Sequence, residues 1–385
     1  RCSDSHISFT EGNGLRVRAN QVENNHAGFA LAAMLLAKMA MWNEDWDTAI
    51  DALEQLESVY GDIDSYPLDK IQWRYKNTDE GIFEIQHAWS ESGAKFTGEV
   101  ADYFRPAFKD GKYDGVKLDG MTESAGTHSQ LLASKHYALY RSNKMSSDEN
   151  TANAKAIFST LPLKFSDEIY NSTRLYTDID VDAIKSGVSE RGRSIDYRAI
   201  YKLGFGDLEN GNTFLWTRTD NRGYGGPQFW CPGMTKKFDS NNYRIFRYAD
   251  AVLMKAECLY HKDRPEEAVT YINKLRKRAY TNPETGAVAS DYQVKYTDDD
   301  ALFQMIMDER ARELGGEFQR KFDLVRWGIW ESTLKKSGYL DANSYVLKNI
   351  KSYHVYYPIP DTECALSQGT LRNDAYMGTN EEKAE

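Results

Sequence analysis

Two stretches far apart in the chain share one pattern, and that pattern limits the fold more than any other feature. Residues 27–60 read AGFALAAMLLAKMAMWNEDWDTAIDALEQLESVY, and residues 248–279 read YADAVLMKAECLYHKDRPEEAVTYINKLRKRA. Each is a helix, a short polar turn and a second helix. In the later copy Ala249, Val252, Leu253, Ala256 and Leu259 fall on one helical stripe. The turn Lys262-Asp263-Arg264 follows, and Pro265 opens the next helix at a position proline favours. Its stripe is Ala268, Val269, Ile272 and Leu275. In the earlier copy the turn is Asn43-Glu44-Asp45, and the stripe after it is Trp46, Ala49, Ile50, Leu53 and Leu56. Ala37 precedes Ala49 by twelve positions, and Ala256 precedes Ala268 by the same twelve. Small residues at that spacing mark helical hairpins of tetratricopeptide type, because only a methyl fits where the two helices cross. Two such hairpins do not bury a solenoid core alone, so other helical segments must complete it.

A further helix is expected from about 299 to 330, broken at Gly315-Gly316. Its apolar stripe continues into Glu309 and Glu313, which therefore need cationic partners if buried. Arg310, Arg312, Arg320 and Arg326 are the candidates. Between the hairpins the texture changes. Residues 82–85 alternate as a short strand, residues 92–130 are rich in Gly, Asp and Lys, and 186–244 mix Gly, Arg, Asn and aromatics. Residues 345–357 (YVLKNIKSYHVYY) read as β-like. The expected architecture is mostly α, with tetratricopeptide-like hairpins at about 20–70 and 240–335. A loop-rich insert with short β-strands spans about 71–240, and a β-like segment and tail span 336–385. All are parts of one domain over 1–385.

Several segments resemble the SusD/RagB family. RYADAVLMKAE (247–257) is similar to its RYAEVLLMYAEA segment, and NKLRKRA (273–279) to its N-x-(I/V)-R-x-R-A helix end. DERARELGGEFQRKFDLVRWG (308–328) resembles its ERRxELAFEGxRxxDLxRWG signature. YPIP (357–360) and LRNDAY (371–376) resemble its closing stretch, and GIFEIQ (81–86) its early strand. Gly315-Gly316 stands where the family has an Ala-Phe or similar pair, and Asp374 stands near a usual Pro-Gly. The resemblance implies a non-catalytic nutrient receptor that sits on a SusC-like TonB-dependent transporter. It also implies an extracellular place on the outer membrane, held by an N-terminal lipid outside this sequence. The start at Arg1, with no initiator Met or apolar leader, is expected to be a truncation.

Composition bears on the ligand. The net charge is −10 with signs interspersed, which argues against nucleic acid. The chain holds 25 Tyr, 16 Phe and 8 Trp, an unusual number, most of which an extended core would absorb. Tyr and Trp offer a flat apolar face with a polar tip, the combination a sugar surface uses. A ring face covering roughly 100 Å² contributes about 2 kcal/mol on burial. Two or three, less the association cost, leave about 4–8 kcal/mol, a millimolar to micromolar site. Trp42, Trp46, Trp327 and Trp330 lie on expected helices and read as core. Trp73 and Trp89 flank the early strand, and Trp216, Tyr224, Phe229 and Trp230 lie in the Gly-rich stretch, with Arg218 and Asn221 nearby for hydroxyls. These eight are the expected ligand-binding set, for an oligosaccharide or, in a RagB-like alternative, a peptide.

Other chemistries fit less well. A secreted glycoside hydrolase would need two carboxylates facing across a bond, whereas Glu309, Glu313, Glu317 and Asp323 share one helical region with interleaved arginines. No catalytic residue, metal ligand or cofactor is assigned. Asp178, Asp180 and Asp182 have a Ca²⁺-loop spacing, but Ala183 and Ser189 replace the glycine and glutamate of an EF-hand. At most a loose structural Ca²⁺ fits there. No HExxH pair, nucleophile elbow, P-loop or CxxC pair occurs among the 385 residues.

Overall fold

The computed structural model describes residues 28–88, 98, 100–104, 112–113, 116–117, 196, 198, 227–229, 239–282, 285–336 and 349–376. The chain forms two compact units, Arg1–Phe318 and Gln319–Glu385.

In the first unit the two hairpins form as their sequences require. Helices α1 (Phe29–Trp42) and α2 (Trp46–Tyr60) make one, and α3 (Tyr248–His261) and α4 (Pro265–Ala279) make the other. Ala37, Ala49, Ala256 and Ala268 are all fully buried. Each helix pair thus crosses on a methyl. The copies agree down to the turn. Glu44 and Asp263 both adopt positive φ, 57° and 55°. The next amide reaches back five residues in each copy, Asp45 to the Ala40 carbonyl and Arg264 to the Leu259 carbonyl, both at 2.9 Å. Asp45 also caps α2 by accepting from the Thr48 amide.

α3 is the axis of this unit. Tyr248 through Leu259 are buried without a break, as expected of a helix covered on every side. It packs on α2, on α4 and on α5 (Asp299–Leu314). Its polar residues are compensated one by one. Asp250 meets Lys38 of α1 at 2.8 Å and Arg310 of α5 at 2.9 Å, and Lys255 meets Glu57 of α2 at 2.7 Å. Strands β1 (Gly81–Ile85) and β2 (Tyr243–Arg247) pair antiparallel, and β2 runs directly into α3. Tyr60 stacks on Tyr248 at 4.8 Å and donates its hydroxyl to the Gly81 carbonyl, which fixes the ribbon against α2.

α5 ends at the expected break. Gly316 has φ +80°, a conformation that favours glycine, and the turn brings Glu317 back toward β2. Here five arginines meet five carboxylates out of water. Arg247 bonds Glu80, Glu313 and Glu317, and Arg278 bonds Glu80 and Glu313. Arg198 bonds Asp196, Glu309 and Glu313, while Arg276 and Arg312 reach Glu309. None of the ten is more than 6% exposed. The sequence reading named Arg310, Arg312, Arg320 and Arg326 as partners. Of these Arg312 joins the cluster, Arg310 serves Asp250, and Arg326 faces Asp323 at 3.7 Å. Arg198, Arg247, Arg276 and Arg278 come from other segments.

The second unit holds α6 (Arg320–Arg326), α7 (Trp330–Lys336) and α8 (Asp361–Leu366). Two expectations are corrected. Residues 352–355 form a 3₁₀ turn rather than a strand, closed locally by the Lys351 amide donating to His354 Nδ1. Among the described residues that segment has no strand to pair with. Trp42, at the C-terminal end of α1, is 50% exposed rather than core. Cys258 is buried, and neither it nor Cys364 forms a disulfide.

Removing one member of the arginine–carboxylate cluster strands charges that water cannot reach. Glu313→Gln deprives Arg198, Arg247 and Arg278 of a carboxylate. It is expected to lower unfolding free energy by about 3–5 kcal/mol in urea titrations. Lys335→Met breaks the exposed Lys335–Glu331 pair and is expected to cost less than about 1 kcal/mol. The cluster also sets an acid limit. Burial alone raises the Glu309 carboxyl, but Arg198, Arg276 and Arg312 outweigh it and bring the group down to about 2 from an ordinary 4.5. Glu80 is lowered too, against burial, by Arg278 and Arg247. A folded-state value below the unfolded one stabilises above the unfolded pKa and loses that stabilisation as pH falls toward the folded one. The urea midpoint is therefore expected to hold from pH 7 to 5 and to fall steadily between about 4.5 and 2.

Candidate functional site

Of the eight ligand-binding residues expected from the sequence, Trp73 and Phe229 lie among the described residues. Trp89, Trp216, Arg218, Asn221, Tyr224 and Trp230 lie outside them, as does the Asp178–Asp182 run.

Trp73 follows a 3₁₀ turn, Leu68–Ile71, and its backbone amide donates to the Gln228 carbonyl at 2.7 Å. Its ring stands edge-on to Phe229 at 4.8 Å and to Tyr243 at 5.3 Å, and Phe318 closes the group by stacking on Tyr243 at 5.7 Å. Trp73 is 1% and Phe229 2% exposed. Both expectations are corrected. These rings cover one another, so neither has a face for a ligand. Their neighbours in the sequence are polar, which suggested a surface, but the partners that bury them come from β2 and from the turn after α5.

The box of rings sits on a polar knot. Arg244 of β2 donates Nε to Glu84 at 2.9 Å and its other nitrogens to the carbonyls of Ile71 and Tyr75. Glu84 accepts in addition from the Asn77 amide and the Asn242 side chain, each at 2.9 Å. Asn242 Oδ1 takes the His87 amide at 3.0 Å. Asn241 holds the Phe229 carbonyl, Asp239 holds the Ala101 amide, and Gln228 reaches Glu317 at 2.8 Å. Segments 70–77, 84–87, 101, 227–229 and 239–244 are thus tied at one place. That place is the base of the expected insert, and it is structural in every contact described. Each carboxylate there accepts from an arginine, a side-chain amide or a backbone N–H.

The most exposed aromatic side chains described are elsewhere. Tyr356 and Tyr357 are 72% and 77% exposed, in a run read from the sequence as a strand. The available signal was Pro358 and Pro360, which suit an extended strap and not a ladder.

Comparison with known proteins gives the context. Residues 232–376 match the SusD family. SusD-like protein P25 of Formosa agariphila is 38% identical over 136 residues, 35% of this chain and 24% of that protein. The starch-binding protein SusD of Bacteroides thetaiotaomicron is 29% identical over 136 residues, 34% of this chain and 21% of that protein. The matched part therefore spans about a quarter or less of these relatives. Among solved structures, a SusD homologue from Bacteroides thetaiotaomicron superposes with a TM-score of 0.59 at 17% identity, covering 89% of this chain and 62% of that one. Surface glycan-binding protein A of the same species, in complex with laminarihexaose, gives 0.53 at 21%, covering 92% and 66%. Five of the motif resemblances, RYADAVLMKAE, NKLRKRA, DERARELGGEFQRKFDLVRWG, YPIP and LRNDAY, fall inside 232–376, whereas GIFEIQ falls before it. Residues 232–376 thus match the SusD family, and the mostly helical, hairpin-built fold is shared with a solved SusD homologue.

Proposed function

We propose that this protein is a non-catalytic receptor for oligosaccharides at the extracellular face of an outer membrane, and that it passes its cargo to a SusC-like TonB-dependent transporter. The observation that carries the reading is the SusD-family match over residues 232–376 on a fold shared with a laminarihexaose-bound glycan-binding protein. Two further points support it. The frame is held by hydrogen bonds of Arg244, Glu84, Asn242, Asn241 and Asp239 that join five chain segments. The acids that would suggest hydrolysis, Glu309, Glu313 and Glu317, are buried in arginine pairs. The binding set is Trp89, Trp216, Tyr224 and Trp230 as stacking rings, with Arg218 and Asn221 for hydroxyls. A lipid anchor belongs to the same proposal.

Isothermal titration of the chain against laminarihexaose, maltohexaose and oligopeptides tests it. Oligosaccharide binding in the millimolar to micromolar range is expected, with no shortening of the sugar in chromatograms. Trp216→Ala and Trp230→Ala are each expected to weaken binding about tenfold, from loss of a ring face. Binding confined to peptides, or release of shorter sugars, overturns the reading.

A further inference from the structure

The C-terminal unit holds an aromatic surface whose residues are outside the proposed binding set. Tyr357 is 77% exposed, and its backbone is held on both sides. Pro358 and Pro360 fix φ on either side of Ile359. Ile359 donates its amide to Asn373 Oδ1 at 2.8 Å and accepts from Asn373 Nδ2 at 2.7 Å. Tyr376 donates its hydroxyl to the Tyr356 carbonyl. Tyr356 itself is extended, at φ −93° and ψ 154°, so its ring and that of Tyr357 leave on opposite sides. Tyr357 therefore stands alone on its side, presented by a rigid strap.

Behind it lies a cation. Lys321 Nζ is 3.6 Å from the Tyr357 ring centroid and 5.8 Å from that of Trp330. The ammonium fills one face of Tyr357 and leaves the other open. A cation–π clasp accounts for the packing, yet ring faces do not neutralise a charge. Three cations of this unit are neutralised, Arg326 by Asp323, Lys335 by Glu331 and Arg372 by Asp374. Among the described residues Lys321 has no carboxylate partner.

We propose that Tyr357, backed by Lys321 and Trp330, is a stacking site for an acidic sugar residue, a uronate or a sulfate ester. The C–H face of the sugar lies on the open face of Tyr357, and its carboxylate or sulfate reaches the Lys321 ammonium past the ring edge. The proposal rests on the oligosaccharide-receptor reading and adds a ligand class and a place. A neutral sugar leaves the charge uncompensated. One ring and one cation match one sugar unit, whereas a stable protein partner needs roughly 800 Å² on this side.

The test is titration of the full chain with oligogalacturonate and a chondroitin sulfate oligosaccharide against laminarihexaose of similar length, at about 50 and 500 mM salt. Acidic oligosaccharides are expected to bind at least about fivefold tighter than neutral ones at low salt, and the margin to shrink at high salt. Lys321→Met is expected to abolish that margin, Lys321→Arg to keep it, and Tyr357→Ala to weaken acidic binding about fivefold or more. Neutral sugars binding as tightly as acidic ones, or acidic binding unmoved by Lys321→Met, overturns this site and leaves the receptor reading intact. No binding of any saccharide removes both. Polyglutamate displacing the acidic sugar and binding more tightly than it assigns the surface to an acidic protein segment and overturns the proposal.

Discussion

The ion pairing of five arginines with five carboxylates inside the first unit is the constraint on which the rest of this fold depends. An unpaired charge in such a place costs several kcal/mol, so no subset of the ten is stable alone. The members come from residue 80, from 196–198, from the end of β2, from the end of α4 and from α5 with its turn. All must arrive together. Lysine cannot replace arginine here. Arg247 uses Nε and both terminal nitrogens at once, on Glu317, Glu80 and Glu313, and only a planar fork reaches three carboxylates in fixed directions.

The helical hairpins explain why the cluster can lie so deep. α3 is flanked by α2, α4 and α5, and Ala37, Ala49, Ala256 and Ala268 let each hairpin close to methyl contact. In the seam between α4 and α5 Arg276 meets Glu309 and Arg278 meets Glu313, all four buried. β2 leads into α3 through Arg247, so the same residue that organises the cluster also fixes where the ribbon ends. From that ribbon Arg244 and Asn242 hold Glu84, and Glu84 holds the loop at Asn77. The base of the insert is in this way an extension of the charge cluster.

The hairpins were legible in the sequence because their signal is local. Apolar periodicity, a polar turn and the twelve-residue alanine spacing all lie within about thirty residues. The break at Gly315-Gly316 was legible for the same reason. The arginine partners were not. Glu309 and Glu313 announced a need for cations, and near neighbours on the same helix were the natural candidates, yet Arg198, Arg247 and Arg278 stand 35 or more positions away. Trp73 and Phe229 failed differently. Polar neighbours made them look exposed, but a ring is buried by what packs on it, and Tyr243 and Phe318 are remote in the chain. Residues 345–357 show the limit of periodicity: alternation suggests a strand, but a strand needs a partner, and 352–355 close on themselves.

The electrostatics also bear on whether such a frame does chemistry. A general acid for glycoside cleavage needs its carboxyl pushed up, so that it is protonated near neutrality and able to give that proton away. Burial pushes Glu309 in that direction, and three arginines reverse the outcome so far that it sits at about 2. Glu80 and Asp250, both buried, are likewise held down by basic neighbours that outweigh burial. The same interaction that makes the fold specific thus holds these acids ionised and engaged. Converting one to a proton donor would require removing its arginines, and with them the contacts that bring α4, α5 and β2 together. In this arrangement structural security and acid catalysis draw on the same carboxylates in opposite senses, and the pairing has resolved the choice in favour of structure.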